Sequence, residues 1–559
     1  MLLNIFKLLL KGCFYVFEIF SILLISFILY VIFSSQLTPP VVENIPVPKR
    51  TKVDVNHFKI RNNWLKKNKF GIWEMYIEGD AYERGLIYGV LSKELVQYQE
   101  KVFVNQIDSF VPSSFWQQVI RMLIGFFNKD LLYNIPEENL KEIYGVSQSF
   151  SDKYDYIGTK YQRILNYHAA HDIGHALNDY SVVGCTSFGL KKDKTSDGQL
   201  LLGRNFDFYV GDEFAKEKLV LFVKPSKGIP FVSYSWAGFT GVASGLNNNG
   251  LSVTINASKS DLPTSSKTPI SILAREILQY ATTIDQAIKI AKKRNVFVSE
   301  TLMISSKRDN RIVLIEKAPK KMGVYESKNN TIVCANHYQS STFKNDEINI
   351  TNIKNSDSHY RFERLTKLLK VKKEFDVNDV AKILRDQKGL SNDTLGMGNP
   401  RAINQLIAHH SVIIQPNKLL FYVSSKNFQL GEYIGYDLNT IFNNKKFTKH
   451  SIKADPFLFS QQFKNYKKFR IIKKSISNYL IFNRPLNLTI LEIEEFIKMN
   501  SESYLTYEML GKYFYKKNDF KAAFSYFNNA LTKKTASKQV DDELKEAIKD
   551  CLEKQENSY

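Results

Sequence analysis

Cysteine is scarce in this chain, with only four examples among 559 residues: Cys13, Cys185, Cys334 and Cys551. So few and so widely separated cysteines exclude a disulfide framework as the basis of the fold. Composition alone favours ordinary buried thiols. Cys185 differs because Gly184 precedes it and a threonine and a serine follow it. This small-residue setting favours interpreting Cys185 as a nucleophile.

The chain also lacks the interleaved basic and aromatic residues that mark nucleic-acid-binding modules, so we predict no nucleic-acid partner. Its formal net charge is nevertheless +21, from 77 Lys and Arg against 56 Asp and Glu. Such an excess favours attraction to anionic lipid headgroups. The hydrophobic content of 44% is sufficient for a large packed core.

Charge is absent from residues 19–35, and apolar residues from Phe14 onward extend this stretch toward the ~20 needed to cross a bilayer. Two lysines precede the stretch, and no small-residue cleavage site follows it. We therefore predict that residues 1–35 form an uncleaved signal anchor with a cytoplasmic N-terminus, with the bulk of the chain on the extracytoplasmic side of the cell membrane. A cleaved signal peptide is the alternative.

The remainder of the chain divides by composition and periodicity into four further segments. Residues 36–55 hold four prolines and are predicted to form a linker. Residues 56–184 are predicted to be mostly helical, residues 185–440 to form a domain of mixed strands and helices, and residues 441–559 to form a helical tail. Hairpin-linked strands mixed with helices indicate an α+β fold. Helices are predicted within 81–110, 115–130, 137–180, 270–294 and 359–371, and strands at 185–190, 200–206, 219–224, 231–236, 251–255, 300–305, 311–316, 331–335, 410–415 and 418–424.

Within the tail, residues 505–538 carry the spacing of one tetratricopeptide (TPR) repeat, although the proline that usually ends such a repeat is absent. A single repeat cannot bury both of its faces alone, so it must dock on another part of the chain. It is either a surface for a protein partner or a structural helical cap. The residues at the repeat positions are Tyr507, Leu510, Gly511, Phe514, Ala523, Phe527 and Ala530.

A predicted hairpin connects the strand that begins at Cys185 with the strand that carries Arg204 and Asp207, through an Asp-Gly turn at 197–198. A thiolate nucleophile needs a nearby cation and a base. If the chain is cut before Cys185, the new α-amino group, with an ordinary pKa of about 8, supplies the base. Asp207 would then hold the amino group and Arg204 would stabilise the thiolate; a structural Arg204–Asp207 ion pair is the alternative.

Five short motifs occur in a characteristic order between about residues 70 and 430. They are Gly79–Gly85 with Tyr88-Gly89; Cys185-Thr186-Ser187 with Gly203–Asp207; Ala237-Gly238 and Gly241 with Gly245–Leu251 and Asn256-Ala257; Ala335–Tyr338; and Ser358–Leu365. Together they resemble the acyl-coenzyme A:6-aminopenicillanic acid acyltransferase family, which is related to choloylglycine hydrolases, penicillin V acylases and acid ceramidase.

The resemblance implies a four-layer αββα N-terminal-nucleophile sandwich and autocatalytic cleavage between Gly184 and Cys185. It makes residues 56–184 the pro-segment, which becomes the small subunit, and residues 185–440 the catalytic domain, with the two subunits remaining associated. It also implies that the side chain of Asn336 and a group at Asn256, such as its backbone N–H, stabilise the oxyanion. Asn256 as a strand end and Asn336 as a turn residue are the alternatives. Arg361 is interpreted as a substrate-binding or structural residue. No cofactor is implied, and acyl-coenzyme A would enter only as a substrate.

One feature lies outside these motifs. His168, His171 and His175 fall at i, i+3 and i+7 on one predicted helical face upstream of Cys185. No metal is predicted, but the spacing makes the three histidines weak candidates for metal ligands. Imidazoles that assist cleavage or substrate binding, and a polar helix beside the site, are the alternatives.

The sequence therefore predicts a single-pass membrane enzyme that cleaves itself and then acts on amide or thioester acyl groups of a small molecule through a thioester acyl-enzyme. Whether water or an amine takes the acyl group depends on the dryness of the pocket, so both an acyltransferase and an amide hydrolase without transfer activity remain open. A non-catalytic membrane scaffold that uses the TPR-like arm is a third interpretation.

Overall fold

The computed structural model describes residues 2–111, 113–177, 184–259, 263, 265–443 and 450–557, with side chains from residue 11 onward except those of 170–177. Two large β-sheets and flanking helices make up the described part of the chain. The predicted α+β class is confirmed.

The strands form an eleven-stranded sheet, ordered β1-β2-β3-β4-β7-β8-β9-β10-β11-β12-β13, and a seven-stranded sheet, ordered β14-β5-β6-β15-β16-β17-β18. Their bounds are β1 (Thr51–Asp54), β2 (His57–Ile60), β3 (Asn63–Lys67), β4 (Trp73–Gly79), β5 (Thr186–Leu190), β6 (Leu201–Phe206), β7 (Lys218–Pro225), β8 (Phe231–Trp236), β9 (Ser244–Asn247), β10 (Leu251–Ala257), β11 (Glu300–Ser306), β12 (Arg311–Lys317), β13 (Met322–Tyr325), β14 (Thr331–Cys334), β15 (His410–Gln415), β16 (Leu420–Ser424), β17 (Tyr433–Asp437) and β18 (His450–Ile452).

Helices occupy the predicted helical ranges, but three of these ranges, 81–110, 137–180 and 270–294, each contain two shorter helices. The range 270–294 becomes two helices because Thr283 starts the second in a capping box with Gln286. The bounds of all the described α-helices are α1 (Leu2–Ser34), α2 (Ala81–Leu91), α3 (Lys93–Phe110), α4 (Ser114–Phe127), α5 (Leu131–Asn134), α6 (Glu137–Ser147), α7 (Lys160–Leu177), α8 (Ile270–Tyr280), α9 (Ile284–Lys293), α10 (Glu347–Asn355), α11 (Ser358–Leu368), α12 (Val377–Leu384), α13 (Leu438–Asn443), α14 (Gln461–Phe482), α15 (Ile490–Met499), α16 (Tyr504–Lys516), α17 (Phe520–Leu531) and α18 (Lys538–Glu556).

Residues 51–79 form four strands, β1 to β4, that were not predicted from the sequence. Strand β1 lies inside the expected linker 36–55, and β2 to β4 lie at the start of the expected helical region. In β4 the alternate residues Trp73, Met75 and Ile77 are buried on one face, while on the other face Glu74 is buried and Tyr76 packs on the cluster between the sheets. Strand β4 pairs in parallel with β7, from the other side of Cys185. A cut before Cys185 would therefore leave the two pieces joined within one sheet.

Apolar side chains from both sheets meet in one shared cluster. Val220 and Val232 of the larger sheet belong to this cluster together with Val412 and Phe421 of the smaller sheet. A second cluster joins the larger sheet to helices such as α2 and α8, and a third joins the smaller sheet to α11 and α12. Each fully buried aliphatic side chain contributes roughly 1.5–3 kcal/mol to this packing.

The tail packs on the catalytic region through the segment 396–430. The ring of Phe428 meets that of Phe463 on α14, and the backbone N–H of Met397 donates to the Asn500 side chain at 2.9 Å. The smaller sheet also continues past the predicted boundary at residue 440, since β18 pairs with β17. The tail is thus a support for residues 396–430.

Helices α16 and α17 pack closely at Gly511, in the segment predicted to be TPR-like. A Cβ atom at Gly511 would lie 2.5 Å from ring atoms of Phe527. The repeat assignment itself stays a prediction, because a tight helix pair is common to many helical arrays.

Replacing Gly511 with valine is therefore expected to destabilise the tail by about 1–3 kcal/mol, because the Phe527 ring has to move. The expected readout is a fall of several degrees in Tm of the detergent-solubilised protein. Ser525→Val is the control, since Ser525 is an exposed position of α17 where the same β-branched side chain replaces a small residue. Equal Tm changes in both variants would contradict the close packing.

The N-terminal helix α1 contains the stretch Lys11–Ser34, which by length and composition fits a signal anchor or a membrane span. It packs against α4, where the rings of Phe27 and Tyr30 both meet Phe126 at centroid distances of 6.2 and 6.0 Å.

Candidate active site

The predicted hairpin is present and places Arg204 against Cys185. Strands β5 and β6 pair antiparallel, with Ser187 opposite Arg204. Cys185 lies immediately before β5, fully buried, and the Arg204 Nη2 donates to its Sγ at 3.7 Å. Two of the predicted site residues are therefore in direct contact.

The environment of the thiol favours its protonated form. Burial raises the pKa of the Cys185 thiol to about 11, and the positive charge of Arg204 opposes that rise. Cys185 is therefore a protonated thiol at neutral pH in this structure. Its activation requires a group that takes its proton, with Arg204 then stabilising the thiolate.

Arg204 itself is held on several sides. Its guanidinium donates to Ser244 Oγ at 2.8 Å and to the Ile255 carbonyl, and Nη1 lies 3.5 Å from His410 Nε2. These contacts fix the Arg204 side chain in one orientation, so the cation is preorganised beside Cys185.

Asp207, just after β6, is fully buried, and neither of its carboxylate oxygens has a hydrogen-bond partner among the described residues. Its backbone carbonyl accepts from the Gly184 N–H at 3.0 Å, which places the residue beside the Gly184–Cys185 bond. Burial raises the pKa of Asp207 to about 7, against the opposing charges of Arg361 and Arg204. A buried carboxylate without donors is costly. The Asp207 carboxylate can therefore accept a hydrogen bond from a further cationic or proton-donating group.

Arg361, on α11, connects Cys185 to Asn336. Its Nη1 donates to the Cys185 carbonyl at 2.8 Å and to Thr186 Oγ1 at 2.9 Å, while Nη2 donates to Asn336 Oδ1 at 2.6 Å. Asn336 Nδ2 in turn donates to the Ala257 carbonyl at 2.8 Å. An asparagine amide carries two N–H donors, so one donor of Asn336 is left for another acceptor.

The side chain of Asn256, near the end of β10, is engaged in structural contacts. Its Oδ1 accepts from Ser187 Oγ at 3.2 Å, and its Nδ2 donates to the Cys334 and Ala335 carbonyls at 3.4 and 3.3 Å. These bonds link the two sheets next to Cys185. A catalytic contribution from Asn256 would have to come from its backbone.

His168 is placed as a structural residue. It accepts the Thr240 N–H on Nε2 at 3.0 Å and reaches the Ile164 carbonyl with Nδ1 at 2.8 Å, so both ring nitrogens are engaged. Burial lowers the pKa of His168 to about 4, which keeps the ring neutral. The side chains of His171 and His175 lie outside the described residues. Among the side chains that are described, no group of three or more His, Cys, Asp or Glu is arranged to hold a metal ion.

Three polar residues around the site were not predicted from the sequence. His410 is the first residue of β15 and His409 precedes it; their Nδ1 atoms are 2.9 Å apart, and His410 Nε2 lies 3.1 Å from Ser244 Oγ. Two consecutive histidines in the sequence could have indicated that these residues belong to the site. Nothing in the sequence indicates Gln405, which contacts Gly184, because it is an isolated glutamine in an irregular segment distant in sequence from Cys185.

Residues 193–399 match the family model of acyl-coenzyme A:6-aminopenicillanic acid acyl-transferase. The resemblance seen in the motifs is thereby confirmed over a range that holds Arg204, Asp207, Asn336 and Arg361 and that begins shortly after Cys185.

Two curated proteins are similar to this chain in sequence. An uncharacterised protein of Archaeoglobus fulgidus is 25% identical over 336 residues, covering 54% of this chain and 55% of that protein. Protein dcd1B of Dictyostelium discoideum is 24% identical over 280 residues, covering 47% and 53%. The chain thus spans about half the length of the curated relatives it matches.

Among solved structures, similar chains include an N-acylethanolamine-hydrolyzing acid amidase ortholog of Caenorhabditis elegans, with 18% identity, a TM-score of 0.32 and coverage of 42% of this chain and 93% of that one. A variant of conjugated bile acid hydrolase from Clostridium perfringens has 12% identity, a TM-score of 0.31 and coverage of 48% and 98%. Penicillin V acylase from Agrobacterium tumefaciens has 16% identity, a TM-score of 0.30 and the same coverages.

Proposed function

We propose, on the premise that this chain resembles the acyl-coenzyme A:6-aminopenicillanic acid acyltransferase family over residues 193–399, that it is a self-cleaving cysteine N-terminal-nucleophile enzyme. It acts on amide or thioester acyl groups of small molecules through a thioester at Cys185. The observation that carries the proposal is the buried Cys185 thiol with Arg204 at 3.7 Å, together with Asp207, whose backbone contacts Gly184 and whose carboxylate has no hydrogen-bond partner among the described residues.

Self-cleavage begins with attack of the Cys185 sulfur on the Gly184 carbonyl carbon. The thiol proton passes to the departing backbone nitrogen of Cys185, with the Asp207 carboxylate as carrier. The C–N bond breaks, a Gly184–Cys185 thioester forms, and the nitrogen becomes a free amine. One water molecule then hydrolyses the thioester, which leaves a Gly184 carboxylate and restores the thiol.

In the cleaved enzyme the new α-amino group of Cys185 serves as the base for its own thiol. Asp207 supplies the acceptor that holds this group, which satisfies a carboxylate that is otherwise without donors. Asn336 offers its remaining N–H to the oxyanion of the substrate, and Arg361 keeps the amide of Asn336 oriented. Water or an amine then releases the acyl group; both outcomes use the same residues.

The proposal is tested by mass spectrometry of the purified full chain incubated with a library of acyl-amides. The expected result is two fragments, the larger beginning at Cys185, and an acyl mass increment on the larger fragment. A hydroxylamine-sensitive increment identifies the thioester. Active preparations that contain only the intact chain would overturn the self-cleavage, and an increment mapped to another residue would overturn the choice of nucleophile.

We further propose that the layers follow the order helix, sheet, sheet, helix of a four-layer αββα sandwich. The three apolar clusters support this order, since one lies between the sheets and the other two lie between a sheet and helices. The TPR-like segment 505–538 acts in this proposal chiefly as a cap, because the tail packs its apolar side chains on residues 406–430; a protein partner would use the remaining exposed face.

We also propose that α1 anchors the protein in the cell membrane with the catalytic part on the extracytoplasmic side. Helix α4 supports the anchor, because it packs against α1 and exposes apolar side chains beside it. Phe115, Trp116 and Leu123 are 66%, 57% and 62% exposed, and Phe110 just before α4 is 66% exposed. Aromatic and aliphatic side chains of this kind are typical of a helix lying in the membrane interface.

This location predicts that Trp116 contacts lipid. In phosphatidylcholine vesicles that hold the full chain, lipids brominated on the acyl chain are expected to reduce the tryptophan emission markedly compared with unbrominated lipids. The Trp116→Phe variant is the matched control. Of the three tryptophans that it keeps, Trp73 and Trp236 are buried in the core and Trp64 is half-buried against Tyr76, so the emission of the variant should respond much less. Equal responses of wild type and variant would contradict a membrane-facing α4.

A further inference from the structure

Gln405 holds the carbonyl group that the proposed self-cleavage attacks. Its Nε2 donates to the Gly184 carbonyl oxygen at 2.8 Å, and its side chain is 3% exposed. The two residues are 221 positions apart in the sequence, so only the folded chain brings them together.

The fit between Gln405 and Gly184 is close. A Cβ atom at residue 184 would lie 2.3 Å from Gln405 Nε2 and 2.7 Å from its Oε1. Only glycine avoids this overlap. The Gly184 N–H donates to the Asp207 carbonyl at 3.0 Å, so the Gly184 residue is held both at its backbone N–H and at the carbonyl of the Gly184–Cys185 bond.

The segment that carries Gln405 is itself fixed by hydrogen bonds on both sides. The Ile403 carbonyl accepts from Asn205 Nδ2 at 2.9 Å, and the Asn404 N–H donates to the Asp386 carbonyl at 2.8 Å. The Leu406 side chain is buried in the apolar cluster of the tail. The Gln405 amide is therefore aimed at Gly184 before any reaction begins.

We propose that Gln405 is the oxyanion donor of the self-cleavage step, an inference that rests on the proposed function. When the Cys185 sulfur bonds to the Gly184 carbon, the carbonyl π electrons move onto the oxygen, and the Gln405 N–H stabilises that negative charge. Collapse of the intermediate breaks the C–N bond and returns the electrons to the carbonyl. Donors 2.7–3.1 Å from the developing oxyanion typically contribute a factor of about 10²–10³ in rate.

The step needs a donor that is neutral and close. A neutral amide donates without adding another charge to a buried site that already holds Arg204 and Arg361. Once the bond is cut, the Gly184 carbonyl becomes part of a carboxylate that can leave. Gln405 then no longer donates to a carbonyl group that reacts. In the turnover of small substrates, Asn336 is the donor to the oxyanion.

The test is a time course of fragment appearance after cell-free synthesis of the full chain into lipid nanodiscs. Gln405→Leu keeps the approximate size but removes the donor, and cleavage is expected to slow by about 10²–10³. Gln429→Leu is the matched control, because Gln429 is also a buried amide that donates to a backbone carbonyl, that of Leu384, away from Gly184. Its cleavage rate is expected to stay within a few-fold of wild type.

A second set of variants separates the donor from the steric fit. Gly184→Ala is expected to block cleavage, since its methyl group displaces Gln405. The double variant Gly184→Ala with Gln405→Ala restores space without restoring a donor, and its cleavage is expected to stay slow by at least about 10². A return of the double variant to the wild-type rate would show that Gln405 acts only by shape and would overturn the proposal.

The outcomes for the two proposals are distinguishable. If the wild-type chain does not cleave under these conditions, the proposed function fails. If wild type cleaves and Gln405→Leu cleaves at the same rate, only the role of Gln405 is wrong. The Tm of uncleaved Gln405→Leu is expected to stay close to that of Gln429→Leu, whereas general misfolding would lower the Tm together with the cleavage rate and would overturn the donor role.

Discussion

The Cys185→Ala variant is expected to remain a single intact chain and to lose all measurable turnover of acyl-amides. The methyl group of alanine fits the buried position but provides no nucleophile, so neither the thioester of self-cleavage nor the acyl-enzyme can form. The measurement is a denaturing gel together with the acyl-amide assay. The expected fall in kcat/KM is at least about 10⁴, given the losses typical of nucleophile removal.

The matched control for this variant is Cys551→Ala, which also removes a fully buried thiol but lies in the tail on α18. It is expected to cleave and turn over like wild type. Acyl-amide hydrolysis by Cys185→Ala would mean that another group is the nucleophile. Loss of cleavage in both variants would indicate a general requirement for intact packing and not chemistry at Cys185.

Asp207→Asn is expected to stabilise the uncleaved chain while it impairs the enzyme. Burial raises the pKa of Asp207 from its ordinary value to about 7, so the folded state favours the protonated carboxyl. Stability from this group is fully present below the ordinary Asp pKa and is lost as the pH rises through about 7. Asparagine imitates the protonated form at every pH. In a Cys185→Ala background, the variant should therefore be more stable by a few kcal/mol near pH 8 and unchanged near pH 4.

In the cleaved enzyme the effect of the same change is opposite. Asparagine cannot balance the charge of the new α-ammonium of Cys185 or carry the thiol proton, so kcat/KM should fall by about 10² or more. Thermal unfolding between pH 4 and 8 measures the first effect and acyl-amide turnover the second. A Tm difference that does not change with pH would contradict a buried, unpartnered carboxylate at residue 207.

Much of the site was accessible from the sequence because its parts lie on one hairpin. Two short apolar strands with an Asp-Gly turn between them bring Cys185 and Arg204 together by local pairing alone. The family motifs then pointed to Asn336 and Arg361, and the structure brings both to Cys185 through the carbonyl that Arg361 holds.

The misses have identifiable causes. Strands β1 to β4 were not predicted because long helical runs follow them, although Trp73, Met75 and Ile77 in β4 alternate with Glu74, Tyr76 and Glu78 in the period-2 pattern of a strand. The sequence predicts that the tail docks on another part of the chain but does not identify the surface, which the structure places at Leu406 and Phe428. Docking of one segment on another leaves no periodic signal in either.

By itself, the sequence determined the apolar N-terminal helix, the mixed α and β character of the chain and the Cys185–Arg204 hairpin, since each depends on periodicity or on neighbours along the chain. Only the tertiary structure decided the contact of Gln405 with Gly184 and the lack of a hydrogen-bond partner for the Asp207 carboxylate among the described residues. Both are properties of a buried site built from distant segments, where the position of each donor depends on the packing of the whole chain.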